Sequence, residues 1–121
     1  MAKALGVGGV FFKSSNPKLL GEWYKQHLGM DVGEFGCNFE PAKLPENALT
    51  VWCAFDEQTR YFDPSERRYM INLIVDDLDG ALAQVEQGGA TLVAEVVEES
   101  YGRFGWFVDP EGNKIELWQP A

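Results

Sequence analysis

Histidine is nearly missing from this chain of 121 residues: His27 is the only one. A metal centre that draws two imidazoles from one chain, such as the two-histidine, one-carboxylate iron site, is therefore excluded. His27 itself lies in "KQHLG" at a helix end, where a cation beside the last carbonyls is the plain explanation. Cysteine is scarce too. Cys37 and Cys53 have no CxxC spacing, and two buried thiols in a reducing cytoplasm fit better than a disulfide. Basic residues are outnumbered, 10 Lys and Arg against 19 Asp and Glu, for a net charge of -9. That balance argues against nucleic acid or an anionic membrane as partner. No run approaches the roughly 18 apolar residues of a membrane span. The opening "MAKALGVGGVFFK" has no small-residue cleavage site and reads as the first strand of a soluble cytoplasmic protein. There is no GxSxG, and His27 is far along the chain from Ser100, so no triad is visible. "GVGGV" precedes no helix at the place a phosphate loop needs one.

What remains is rich in apolar and aromatic residues, 45% and 13% of the chain, in a length that makes one domain. The same order of elements occurs twice. "GVGGVFFK" reads as a strand; Asn16 and Pro17 start a helix carrying Leu20, Trp23, Tyr24 and Leu28 at helical spacing, and Gly29 ends it. Two strands follow, around Gly36–Glu40 and Ala48–Phe55, joined through "KLPEN". In the second half "YMINLIV" is a strand and Asp77 caps a helix with Ala81, Leu82 and Val85 on its apolar stripe. Then come "TLVAEVVEE", "FGWFV" and "KIELW", the last two joined by "DPEGN". Both halves read β-α-β-β-β, offset by about half the chain, an internal duplication. Module one covers about 4–56, a polar linker about 57–68, and module two about 69–119. Each module has one helix for one face of its sheet. The expected fold is thus α+β: two tandem modules forming a curved mixed sheet around a concave pocket, with the helices outside.

Three segments, "SSNPKLLGEWYKQHLGM", "VDDLDGAL" and above all "DPEGNKIEL", resemble the vicinal oxygen chelate superfamily of glyoxalase I, bleomycin-resistance proteins and extradiol dioxygenases. The resemblance covers nearly the whole chain and implies the paired-module fold, often as a homodimer with the pocket near the interface. It also implies four strand positions where metal-using members keep their ligands. Here they fall on Gly9, Thr50, Met70 and Glu116. Only Glu116 can bind a hard metal, so no metal site and no cofactor are expected.

Alternation along the last strand puts Lys114, Glu116 and Trp118 on one face and Ile115 and Leu117 on the other. If "DPEGN" closes a simple hairpin, Trp106 and Phe104 lie opposite Glu116 and Trp118. With the ligand slots Gly9 and Met70 facing inward, Phe11, Lys13 and Asn72 face inward too, and Thr50 brings Trp52 with it. The expected site is Glu116 as general base, with Phe11, Lys13, Trp52, Asn72, Arg103, Trp106 and Trp118 as ligand-binding groups. A structural salt bridge from Glu116 to Lys13 or Arg103 is the competing role. Aromatic walls with a few placed polar groups suit a small, flat organic ligand. Three functions follow: a metal-independent binder that sequesters such a molecule or acts on it, a metal-dependent lyase of glyoxalase I type using Glu116, or a non-enzymatic interaction domain. Whether a reaction is catalysed is open at this level.

Overall fold

The computed structural model describes every residue except 2, 4 and 6. The start of module one and the first residue of "GVGGVFFK" fall on these and lie outside the described residues. Helix α1 spans Pro17–Leu28 and begins where the sequence says it should. The Asn16 side chain accepts from the Leu19 N–H at 3.1 Å, Pro17 fills the first turn, and Gly29 closes the helix at φ 63°. Helix α2, Leu78–Gln87, is capped by Asp77, which accepts from the Gly80 N–H at 3.1 Å. Four strands complete the ordered part: β1 Ile71–Ile74, β2 Thr91–Glu99, β3 Gly102–Val108 and β4 Lys114–Pro120. They form an open mixed sheet in the order β1-β4-β3-β2, with β1 parallel to β4 and the other neighbours antiparallel.

One sheet face is apolar because alternation makes it so. Phe107, Ile115 and Leu117 are buried there beneath Leu78, Ala81 and Val85 of α2 and Leu20 and Tyr24 of α1. Gly105 permits the close approach: a Cβ at that position would stand 2.9 Å from Leu82 Cδ1. Asp109, buried at 5% exposure, organises the β3–β4 turn. Its carboxylate accepts from Tyr24 Oη at 2.8 Å, the Glu111 N–H at 2.9 Å and the Asn113 N–H at 3.0 Å. Burial, with the Asp109 carboxylate next to it, raises the Tyr24 phenol far above its ordinary pKa.

The second β-α-β-β-β unit is therefore complete, and the first is represented in the core by its helix. The segments expected as strands around Gly9–Lys13, Gly36–Glu40 and Ala48–Phe55 join no ladder; a single bridge, Gly33 to Gly36, and a short 3₁₀ turn at Pro41–Lys43 are the regular features there. Val10, Phe11, Phe39, Val51 and Trp52 are exposed as a result. Period-two patterning identifies a segment that suits a strand; the ladder needs a partner edge that the pattern does not name. For the same reason Cys53 is exposed and Cys37 half-buried, both as free thiols, where two buried thiols were expected.

Candidate functional site

The sheet face turned away from the helices carries the polar chemistry. Register places Asn72 beside Glu116 across β1–β4, and Trp106 beside Glu116 across β3–β4. Phe104 sits opposite Trp118 in the same ladder. Both oxygens of the Glu116 carboxylate are engaged. Asn72 Nδ2 donates to Oε1 at 2.7 Å, while Trp106 Nε1 and Tyr61 Oη donate to Oε2 at 2.9 and 2.5 Å. All three are neutral donors, so the Glu116 carboxyl group is held by hydrogen bonds and not by a direct ion pair.

Aromatic rings surround this carboxylate. Tyr61 meets Trp106 edge-on, with centroids 6.2 Å apart, and stacks on Phe55 at 5.6 Å. Phe104 and Trp118 lie parallel at 6.1 Å, and Trp118 Nε1 donates to the Tyr101 carbonyl at 3.0 Å. Lys114, buried at 6% exposure, donates to the Tyr61 carbonyl at 2.5 Å and lies 5.1 Å from the centroid of the Tyr61 ring. Burial pushes the Lys114 ammonium below its ordinary pKa, against the opposing pull of Glu116 and Asp63. Burial and then the hydrogen bond to Glu116 push the Tyr61 phenol well above its ordinary value.

Glu116, Asn72, Trp106 and Trp118 thus stand on one face of the sheet. Other residues do not join them. Phe11 is 95% exposed and Trp52 80% exposed, both on the segments that lack a ladder. Lys13 lines an open cleft of about 450 Å³ with Ser14, Ser15, Arg67, Pro110 and Glu111, away from Glu116. In that cleft Ser14 Oγ and the Ser15 N–H donate to Glu111 at 2.6 and 2.9 Å, so its nearest donors are already used. Arg103 has the parity of Gly105 and Phe107, on the helix side of the sheet. It bonds Asp79 of α2 at 3.0 Å and lies 3.2 Å from Glu98. The salt bridge considered for Glu116 with Lys13 or Arg103 is absent among the described residues. Sequence reasoning missed Tyr61 and gave Lys114 no role. The aromatic pair Tyr61-Phe62 inside the otherwise polar "DEQTRYFDPSERR" was the signal available for the first.

An open mixed sheet with two helices on one face, and a carboxylate among aromatic side chains on the other, defines the class. The chain belongs to the glyoxalase-like domain family, whose model matches residues 9–118. It is 31% identical over 72 residues to the glutathione transferase FosA of Serratia marcescens. That match takes in 57% of this chain and 50% of the relative, so it spans half the relative's length. Among solved structures, a member of the glyoxalase/bleomycin resistance protein/dioxygenase superfamily from Sphaerobacter thermophilus aligns with a TM-score of 0.51 at 22% identity, covering 88% of this chain and 90% of that one. TnmS3, an antibiotic-binding protein from a Streptomyces strain, aligns with a TM-score of 0.51 at 19% identity over 88% of each chain. These structural likenesses establish the fold. No helix among the described residues is long and apolar enough to cross a membrane.

Proposed function

We propose that this protein binds a small, flat organic molecule against the aromatic face around Glu116, and does so through its own side chains and not through a resident metal. The observation that carries the reading is the Glu116 carboxylate itself, held by Tyr61, Asn72 and Trp106 on a face lined by rings. Few fixed polar groups set in apolar walls orient a small ligand. Glu116 accepts hydrogen bonds and is also the group that would take a proton, so sequestration and base catalysis use the same side chain.

The residues present do not fit a metal. Of the four positions where the superfamily places ligands, Gly9 and Met70 offer no hard donor and Thr50 only a neutral hydroxyl. Trp106 and Tyr61 occupy Oε2 of Glu116 as donors, and no three His, Cys, Asp or Glu side chains come together among the described residues. The reading extends to a cytoplasmic homodimer. The exposed apolar side chains of the first half, Phe11, Phe39, Val51 and Trp52 among them, support assembly, because apolar surface left in water favours burial against a partner.

Calorimetric titration with nickel, zinc, manganese and iron(II), beside a Glu116→Gln control, tests the metal-independent reading. The expected result is no stoichiometric binding. Tight binding that disappears in Glu116→Gln overturns it in favour of a metal-dependent lyase of glyoxalase I type.

A further inference from the structure

Tyr61 belongs to the segment of about 57–68 that joins the two halves, not to the sheet whose face it covers. Its phenol makes each kind of contact a ligand at this site would make. The hydroxyl donates to Glu116 at 2.5 Å, the ring edge meets Trp106, and one ring face stacks on Phe55 with an interplanar angle of 8°. Yet it is held as a guest is held. Tyr61 is 40% exposed and Phe55 45% exposed, so neither is fixed by a packed core. Its backbone is tied to the sheet through Lys114 Nζ, which donates to the Tyr61 carbonyl at 2.5 Å, and the rest of the segment by Ser65 Oγ donating to the Gly112 carbonyl at 2.6 Å and Arg67 to the Glu111 carbonyl at 2.9 Å. The Arg60–Asp63 ion pair is local to the segment and solvent-exposed, and adds little hold on the sheet. Such a segment opens more readily than the strands it covers, at the cost of the Lys114 bond to the Tyr61 carbonyl.

The donors on Glu116 differ in the same respect. Asn72 and Trp106 come from strands β1 and β3 and are fixed by the ladder. Tyr61 is the one that a loop supplies. A ligand that replaces it must bring one neutral O–H donor on a planar aromatic frame. The adjacent parallel pair Phe104 and Trp118 extends the aromatic surface beyond one ring.

We propose that Tyr61 is a built-in occupant of the site, standing where a hydroxylated, multi-ring aromatic ligand binds, and that such a ligand enters by displacing the segment of about 57–68. This rests on the proposed small-molecule reading and adds a ligand class and an internal competitor to it. An occupant that fills the site most of the time lowers apparent affinity by the fraction of molecules that are open.

Naphthol, with methoxynaphthalene as the same frame without the O–H donor, is titrated into the wild type, Tyr61→Phe and Tyr61→Ala. The indole N–H signal of Trp106 in proton–nitrogen NMR is the reporter. Naphthol should shift that signal in all three proteins. Its apparent affinity should rise about tenfold in Tyr61→Ala and by less, in the same direction, in Tyr61→Phe. Methoxynaphthalene should bind more weakly than naphthol. Weaker or unchanged naphthol binding in the variants makes Tyr61 a wall of the site and overturns the inference, while leaving small-molecule binding intact. Equal binding of the two probes overturns the ligand class. No shift of Trp106 in any protein overturns both the inference and the reading beneath it. If Tyr61→Ala fails to fold by circular dichroism, Tyr61→Phe, which keeps the ring, decides alone.

Discussion

Glu116 and Glu111 both sit close to the β3–β4 turn, and their surroundings give them different work. Glu116 could be placed from the sequence because its face follows from strand parity. Its partners divide by origin: Asn72 and Trp106 follow from register, whereas Tyr61 comes from a segment with no periodicity to read. Glu111 is engaged by the first half of the chain, through Ser14 and Ser15 at 2.6 and 2.9 Å. Those hydrogen bonds hold its carboxyl below the ordinary value of 4.5. A depressed carboxyl pKa means that the unfolded chain binds the proton more readily. The tie is therefore fully present above about pH 4.5 and is lost as pH falls through the lower, folded value. Glu111→Gln should lose less stability over that acid window than the wild type, by about 1 kcal/mol or less because solvent reaches the half-buried carboxyl and screens it. Urea unfolding at a series of acid pH values measures it; an identical pH slope in the two proteins would show that the contact carries no weight.

At the scale of elements, both helices are legible to the residue because their signals are local. Asn16 with Pro17, and Asp77, start them, and Gly29 and Gly88 end them. The strands of the second half were also recovered, including the whole of Thr91–Glu99. Strand β2 has one feature that its composition hides. Its register with β3 shifts between Val93 and Val97, and Ala94 takes φ 62° in that shift. An L-residue with a Cβ is strained there, by about 1–2 kcal/mol. Glycine removes that strain at some cost in unfolded-chain entropy. Ala94→Gly should consequently stabilise the domain by about 1 kcal/mol, seen as a higher midpoint of thermal unfolding. A lower midpoint would mean that the bulge is not strained in solution. Gly102, at φ 136°, shows the converse. A Cβ there would collide with the Gln119 carbonyl and Trp118 Nε1, so the turn into β3 requires glycine.

For the whole molecule, the two halves have similar patterns and different outcomes. The second half closes a core between α1, α2 and the sheet; the first leaves Val51, Trp52 and Phe39 in solvent at 70%, 80% and 59% exposure. On the homodimer reading these side chains are covered by a second copy. Sedimentation equilibrium should then give twice the chain mass of 13.6 kDa, and Trp52→Asp should shift the distribution toward monomer. A wild-type monomer at all concentrations would refute the dimer.

The sequence alone determined the helices, the second module and the face on which Glu116 stands, because caps, turn residues and side-chain alternation act over a few residues. Two matters were decided only by tertiary structure. One is which extended segments obtain a ladder partner, since pairing depends on an edge supplied from far along the chain. The other is which groups meet Glu116. Tyr61 reaches it across 55 positions of sequence, and Arg103 turns away because one step along a strand reverses its face.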